Sequence, residues 1–245
     1  MKSFLRHLLR LATLAALAVL ALQLTFATRI LGMRWIDPAS TTFQRSEAWR
    51  LLSTRGHIEW SQQWVDADQI SVQLKRAVIA SEDAAFASHA GVDWPSIERA
   101  WDRNQRAEAR AERQPSGPRK PEPKVVGGST ITQQLAKNLF LSGERTVIRK
   151  AQEFMISMML EALLPKQRIL EIYLNSVEWG EGLFGAQAAA RHYFRVDAQR
   201  LSVEQAARLA VMLPAPKRFE KRPASDYVLA RSATIAARMG AVELP

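Results

Sequence analysis

The chain has 245 residues, of which 47% are hydrophobic and 24% are charged. This length and composition fit one large globular domain or two small ones and exclude a wholly disordered chain. The chain has no cysteine, which excludes disulfide scaffolds, thiolate metal sites and cysteine nucleophiles. Its formal net charge of +10 indicates a partner that carries negative charge: nucleic acid, anionic lipid headgroups or a phosphorylated substrate.

An apolar stretch near the N-terminus predicts a membrane anchor. Residues 11–28 contain no charged side chain, and as a helix they would span roughly 27 Å, close to the thickness of a bilayer's hydrocarbon core. Lys2, Arg6 and Arg10 precede the stretch, so the positive-inside rule predicts a cytoplasmic segment at 1–10 and export of the rest. A cleaved signal peptide is the alternative, although its apolar region is usually shorter. Either interpretation exports the domain, which argues against a nucleic-acid partner.

The remaining chain predicts a mainly α-helical protein. We interpret residues 29–68 as a membrane-proximal linker with a small lobe and residues 69–245 as the principal domain. Apolar spacing and capping patterns predict helices over 72–81, 131–140, 149–164, 167–175, 186–193, 206–213 and 226–239. Residues 102–124 are rich in charge and proline and predict a solvated basic loop, with room for a frayed helix in its Arg/Ala/Glu half.

Two carboxylate clusters are candidates for catalysis. Glu82 and Asp83 follow a predicted apolar helix, where burial and like charge can raise a carboxyl pKa toward that of a general base. A solvated helix end is the simpler alternative. Glu153 lies far along the chain and could complete a two-carboxylate site of the kind used in sugar chemistry, or simply form a helical ion pair. The basic residues beside it are Arg145, Arg149 and Lys150.

A glycine-rich turn before a predicted helix offers an anion site. Thr130 and Gln133 have the spacing of a capping box, so the helix should begin here. Backbone N–H groups at such a helix start can bind an anion, although an ordinary capped turn and a solvated face would have the same sequence. The polar side chains in this segment are Ser129, Thr130, Gln133, Gln134, Lys137 and Asn138.

Four motifs in a fixed order resemble the peptidoglycan glycosyltransferases, family 51 of the glycosyltransferases. The motif E-D-x-x-F-x-x-H-x-G occupies 82–91, and G-G-S-T-I-T-Q-Q-L-A-K-N occupies 127–138. R-K-x-x-E occupies 149–153, and K-x-x-I-L-E-x-Y-L-N occupies 166–175. No Ser-x-x-Lys of a penicillin-binding domain occurs, so the chain resembles the monofunctional biosynthetic members.

The resemblance implies a lysozyme-like, mainly α fold behind a single transmembrane helix. The implied activity is inverting hexosyl transfer that elongates glycan strands from lipid II through β-1,4 links and releases undecaprenyl diphosphate. The implied partners are lipid II, the nascent strand, membrane lipid and cell-wall synthesis proteins. The implied location is the inner membrane with a periplasmic catalytic domain. We also expect Trp94, Trp101, Val125 and Val126 to contribute either to an apolar membrane surface or to the core.

The resemblance also implies roles for the individual site residues. Glu82 would be the general base supported by Asp83, and Glu153 would be a permanently charged carboxylate that orients the basic residues. Residues implied to line the cleft are Ser129, Thr130, Gln133, Gln134 and Asn138. Residues implied to hold the donor diphosphate are Lys137, Arg145 and Lys150. A divalent cation, Mg²⁺ or Mn²⁺, could share that task, with ligands that the sequence does not identify.

Two rival functions remain open from the residues alone. A lysozyme-like muramidase or lytic transglycosylase would act on finished peptidoglycan and would not need the lipid diphosphate. A non-catalytic anchored scaffold would use Glu82 and Glu153 only structurally. The basic residues around Glu153 argue against the degradative enzyme, because they suit a departing diphosphate, and substitution of Glu82 or Glu153 without loss of activity would indicate the scaffold.

Overall fold

A computed structural model describes residues 2–112, 128–144 and 146–245, and most of its ordered elements are helices. The helices are α1 (Lys2–Gly32), α2 (Thr42–Arg55), α3 (Val72–Glu82), α4 (Trp94–Glu112), α5 (Ile131–Phe140), α6 (Val147–Leu163), α7 (Lys166–Ser176), α8 (Ala186–Phe194), α9 (Val203–Met212), α10 (Pro216–Phe219) and α11 (Asp226–Met239). The strands are β1 (Ser61–Gln62), β2 (Glu178–Gly180) and β3 (Leu183–Phe184). The prediction of a mainly α-helical fold is confirmed.

Helix α1 is the membrane-helix candidate, and its C-terminal end packs on the rest of the protein. By length and composition, Ser3–Gly32 can cross a membrane. Gln23 and Gln152 of α6 exchange two side-chain hydrogen bonds of 2.9 and 3.0 Å. Phe26 packs edge-on to Phe140 at the end of α5, with ring centroids 5.2 Å apart, and the guanidinium of Arg29 lies 4.9 Å from the same ring. The anchor is therefore in direct contact with α5 and α6.

A small sheet joins the segment 29–68 to the principal domain. The strand order is β1-β3-β2; β3 pairs in parallel with β1 and antiparallel with β2. The buried amide of Asn175 adds to this join, because it accepts from the Val65 N–H at 3.0 Å and donates to the Val65 carbonyl at 2.9 Å. Residues on the two sides of the predicted boundary at residue 69 are thus joined by strand pairing and by the Asn175 hydrogen bonds.

The helices form two groups that meet at the end of α3. Helix α3 packs on α9 and α11, whereas α5 packs on α2, α6 and α7. Apolar residues of both groups form one buried core, which includes Leu74, Leu135, Tyr173 and Leu209. The C-terminal residue of α3, Glu82, therefore lies where the two groups come together.

Helix α4 extends into the predicted basic loop, at the Arg/Ala/Glu half where the sequence allowed a frayed helix. Residues 102–112 continue this helix instead of forming loop, since their Ala, Arg and Glu residues are strong helix formers. Residues 113–124 lie outside the described residues, as do Val125 and Val126. Trp94 and Trp101 are each 65% exposed, so neither belongs to the core.

Gly182 in the β2–β3 turn provides a stability test. Its φ of +70° lies in the left-handed region, and an added Cβ would lie 2.1 Å from the carbonyl oxygen of Glu59. We expect Gly182→Ala to destabilise the fold by more than the roughly 1–3 kcal/mol that such a φ alone costs. The measurement is the thermal unfolding midpoint. Gly240→Ala is the matched control, because nothing lies within 4 Å of its added Cβ; equal midpoints for the two variants would contradict the prediction.

Candidate active site

Glu82 is a half-buried carboxylate at the junction of the two helix groups. Its Oε2 accepts from Gln134 Nε2 at 3.1 Å, and its Oε1 accepts from Ser81 Oγ at 3.2 Å. Burial raises the pKa of the Glu82 carboxyl, and the negative charge of Asp83 adds to this; the Gln134 and Ser81 hydrogen bonds and the charge of Arg231 oppose it. The predicted rise in pKa is confirmed in direction, with burial as its main cause. A raised pKa makes the ionised carboxyl a stronger base than an ordinary glutamate.

Asp83 is a buried structural carboxylate that ties α3 to the start of α5. Its Oδ2 accepts from the backbone N–H of Ile131 at 3.0 Å, and its Oδ1 lies 2.8 Å from His89 Nε2. The Gly91 N–H donates to His89 Nδ1 at 3.1 Å. Because Nδ1 accepts, the neutral imidazole carries its proton on Nε2 and donates it to Asp83. Asp83 is thereby held away from Glu82's reactive oxygens while still supplying the like charge.

The start of α5 shows which polar residues can face a substrate. Thr130 and Gln133 form the predicted capping box, and the Thr130 hydroxyl also donates to the Gly91 carbonyl at 2.7 Å. Both side chains are buried, so their contacts hold the helix start. Ser129 is exposed and lines a cleft with Glu82, and Asn138 is half-buried on α5. Of these residues, Ser129 and Thr130 line the cleft beside Glu82, and Ser129 is the exposed one.

A second, cationic cluster consists of Lys137, about one turn beyond Gln134 on α5, and Arg149, Lys150 and Glu153 on α6. Glu153 is buried, with Oε2 accepting from Arg149 at 2.8 Å and Oε1 paired with Lys150. Lys137 keeps solvent-exposed surface, yet desolvation by the surrounding protein lowers the pKa of its ammonium. The charge of Glu153 opposes that lowering, whereas those of Arg149 and Lys150 add to it. The structure thus brings Lys137, Lys150 and Glu153 together as predicted. Arg145 lies outside the described residues.

Helix α5 connects the two clusters and fixes their order relative to the anchor. Gln134 contacts Glu82, Lys137 belongs to the Glu153 cluster, and Phe140 contacts α1. Three helical residues rise about 4.5 Å and six about 9 Å. Helix α6 runs antiparallel beside it, since Thr132 at the other end of α5 donates to Glu161 at 2.5 Å. The cationic cluster therefore lies between Glu82 and the membrane helix.

Two clefts meet at Glu82. The smaller, of about 300 Å³, is lined by Ser129, Asp93 and three arginines, Arg99, Arg103 and Arg238. The larger, of about 520 Å³, is lined by Arg218, Phe219, Tyr227 and Arg231 together with an apolar floor. An acceptor and a donor can approach one carboxylate from two sides in this arrangement.

The divalent cation that the family resemblance allows stays a prediction. Across residues 2–112, 128–144 and 146–245, no three His, Asp or Glu side chains are grouped to hold a metal ion. Glu153, the carboxylate of the cationic cluster, already binds Arg149 and Lys150. A cation at this position would have to displace those two partners.

Several site residues carried too weak a signal to be assigned a role from sequence. Tyr173 is buried, and its hydroxyl donates to Gln134 Oε1 at 2.8 Å; the fourth motif includes it without indicating this contact. Arg149 was noted only as a neighbour of Glu153. Arg218 and Arg231 lie outside all four motifs. A helical projection of α11 would have placed Arg231 and Arg238 on one face, two turns apart.

Tyr173 orients the amide that contacts the base. Because its O–H donates to Gln134 Oε1, the Gln134 Nε2 is turned toward Glu82. We expect Tyr173→Phe to lower turnover roughly tenfold while costing about 0.5–1.5 kcal/mol of stability. Steady-state rates and thermal unfolding of the same samples measure the two effects. Tyr193→Phe is the matched control, since it removes a hydrogen bond of 2.7 Å to the Trp179 carbonyl; an equal loss of turnover there would contradict the assignment.

Comparison with known proteins identifies the family. The family model described as transglycosylase matches residues 50–240. A biosynthetic peptidoglycan transglycosylase of Burkholderia thailandensis is 53% identical over 228 residues, 93% of this chain and 84% of the relative. One from Paraburkholderia xenovorans is 49% identical over 241 residues, 98% and 94% of the two chains. The chain therefore belongs to the transglycosylase family of peptidoglycan glycosyltransferases.

Proposed function

We propose that this protein is a membrane-anchored polymerase that elongates glycan strands from lipid II, forming β-1,4 links and releasing undecaprenyl diphosphate. Its family and its relatives support peptidoglycan polymerisation. The observation that carries the finer assignment is the order along α5: a base with a raised pKa, then a cationic cluster, then the membrane helix. That order matches a substrate whose diphosphate links a sugar to a lipid.

In the proposed reaction, Glu82 takes the proton of the acceptor's 4-hydroxyl as its oxygen attacks C1 of the donor sugar. The C1–O bond to the diphosphate breaks as the new bond forms, which inverts the configuration at C1 from α to β. The departing diphosphate takes the electron pair of that bond. Lys137, Arg149 and Lys150 supply positive charge for it, and Glu153 holds the last two in place. Fixed charges of this kind stabilise the transition state without reorganisation.

The anchor helps bring the enzyme to its substrate. A prenyl-linked substrate stays in the bilayer, so an enzyme held in the same plane meets it at a raised effective concentration. Lys2, Arg6 and Arg10 precede the apolar stretch, so the positive-inside rule supports a cytoplasmic N-terminus and a periplasmic catalytic domain. Membrane lipid is thus a partner of α1, and other wall-synthesis proteins are candidate partners.

The degradative alternative is less well supported. A muramidase or lytic transglycosylase cleaves finished strands that carry no lipid diphosphate. It would have no use for Lys137, Arg149 and Lys150 gathered between the base and the membrane helix. The named relatives are biosynthetic, which also favours synthesis.

Replacing the base tests the proposed function directly. Glu82→Gln keeps the shape of the side chain but cannot accept the proton, so we expect a fall in rate of about 10²–10⁴ with lipid II binding largely retained. In the wild type, the rate should fall as the pH drops through the raised pKa of Glu82, because the protonated carboxyl is not a base. Polymer formation from lipid II in detergent, followed by gel separation of strands, measures both effects.

A matched control distinguishes loss of the base from loss of charge. Glu204→Gln removes an exposed carboxylate on α9 and should leave the rate and its pH profile unchanged. Wild-type protein that makes no strands beside an active reference enzyme would overturn the proposed function. Full activity in Glu82→Gln would leave the reaction standing but remove Glu82 as its base.

The two glutamates should differ in what their loss changes. Glu153→Gln removes the negative partner of Arg149 and Lys150, so we expect weaker binding of the lipid-linked donor, about tenfold, with the acid limb of the pH profile retained. Glu82→Gln should leave donor binding largely intact. Glu161→Gln, on the same helix but at the other end of α5, is the control and should leave donor affinity unchanged. Identical binding and pH profiles for the Glu82 and Glu153 variants would contradict the division of roles.

A further inference from the structure

Two glutamines join the membrane helix to the helix that carries the cationic cluster. Gln23 is the one amide side chain in the charge-free stretch 11–28. Its Nε2 donates to Oε1 of Gln152 on α6 at 2.9 Å, and Nε2 of Gln152 donates back to Oε1 of Gln23 at 3.0 Å. Both side chains are half-buried. Each amide therefore supplies one donor and one acceptor to the other, across a separation of 129 residues in the chain.

The position of Gln23 along α1 gives the depth of this pair. With α1 across the membrane, Gln23 lies five residues inside the end of the charge-free stretch at Thr28, which is about 7.5 Å along the helix. The surface of α6 fits that depth, because Val147 and Ile148 in its first turn are 88% and 84% exposed. An amide among lipid tails finds no water to replace a lost hydrogen bond. The two glutamines therefore gain more by staying paired than the same side chains would in water.

The pair lies next to the residues proposed to hold the donor diphosphate. Glu153 follows Gln152 directly in α6, and its carboxylate holds Arg149 and Lys150. A contact that fixes Gln152 against α1 therefore also fixes the height of these cations above the lipid tails. The diphosphate of a prenyl-linked donor is confined to the height of the headgroups, so the height of the cluster affects how readily it meets the donor.

Other contacts between α1 and the domain are less directional. Phe26 packs edge-on to Phe140 with ring centroids 5.2 Å apart, and the Arg29 guanidinium lies 4.9 Å from the same ring. Ring contacts keep much of their energy when two helices shift, whereas a hydrogen bond weakens steeply once its angle bends. The glutamine pair is therefore the more specific contact for setting α6 against α1.

We propose that Gln23 and Gln152 are positioning residues, which hold the cationic cluster at the height of the donor's diphosphate in the membrane. This inference rests on the proposed polymerase function and adds the membrane helix to its donor site. The two glutamines act through α6 and Glu153, without contact to the substrate.

The kinetic test compares a donor held in the bilayer with a soluble one. Full-length protein in vesicles receives either lipid II in the same bilayer or an analogue whose short prenyl chain keeps it in water. We expect Gln23→Leu to raise KM for lipid II about three- to tenfold, as for the loss of an interhelical hydrogen bond in a membrane, with kcat unchanged. KM for the soluble analogue should stay the same, because that substrate reaches the cluster from water at any height.

The outcomes separate positioning from a general loss of structure. Equal rises in KM for both substrates, or no rise for either, would overturn the positioning role. Wild-type protein that makes no strands from lipid II would instead overturn the polymerase function. Gln152→Leu should match Gln23→Leu, and the double variant should be no worse than either single variant; additive effects would contradict the pair.

Thr25→Val is the matched control on α1. The Thr25 hydroxyl donates to the Ala21 carbonyl of its own helix at 2.8 Å, so its removal leaves the contact with α6 intact. Both KM values should equal those of the wild type. A rise in KM for lipid II as large as that in Gln23→Leu would contradict a specific role of the glutamine pair.

A fluorescent label measures the depth of α6 without turnover. The chain has no cysteine, so Ile148→Cys provides a single labelling site at an exposed position in the first turn of the helix. Quenching by lipids that carry nitroxides at known depths should place this label among the lipid tails, with one preferred depth. Adding Gln23→Leu should make the label shallower and its depth profile broader. A profile unchanged by Gln23→Leu, or a label outside the lipid tails in the protein with Gln23, would overturn the proposal.

Discussion

The active site depends on one buried carboxylate, Asp83, which fixes the end of α3 against the start of α5. It accepts from the Ile131 N–H at the helix start and pairs with His89. A carboxylate at a helix N-terminus gains from the helix dipole and from a charge-assisted hydrogen bond. Since Glu82 is the adjacent residue, this contact also sets where the base lies. The contact therefore helps to hold Glu82 beside the Gln134 amide, from which Glu82 Oε2 accepts at 3.1 Å.

Helix α5 connects Glu82 to the cationic cluster and to α1. Its residues Gln134, Lys137 and Phe140 contact the base, the cationic cluster and α1 in that order. A straight helix keeps such spacing far better than a loop, because each residue adds about 1.5 Å along one axis. The Gln23–Gln152 pair holds α6 to α1 beside Glu153. The anchor thus contacts the helix that carries Arg149, Lys150 and Glu153, the cluster proposed to hold the lipid-linked diphosphate.

The sequence predicted the helices that combine apolar spacing with a cap, but it missed α2, whose capping box at Thr41 and Gln44 precedes a mostly polar helix, and the start of α4. The capping box at Thr130 and Gln133 placed α5 correctly, and the helix at 226–239 has the predicted bounds. The start of helix α4 was missed, and its second half was allowed only as a frayed helix, because residues 102–124 are rich in charge and proline. Asp93, which accepts from the Ser96 N–H at 2.9 Å, is the helix cap that could have indicated it. The motifs identified Glu82 and Glu153, but motifs do not report contacts between distant residues.

A sequence motif does not show which charged side chains form salt bridges. In this site, the basic residues differ in that respect. Arg149 and Lys150 are paired with a buried glutamate, which keeps them fixed where negative charge leaves. Arg218 and Arg231 make no salt bridge among the described residues and line the cleft of Glu82, and the charge of Arg231 opposes the rise in the Glu82 pKa. Glu82 lies between these two groups, and its dominant perturbation is burial, not a cation. A base held by a strong ion pair would have its pKa lowered and would be a poor proton acceptor. The direct partner of Glu82 is the neutral amide of Gln134, and the arginines and lysines lie on either side. This arrangement lets the Glu82 carboxylate stay basic between two anionic substrates.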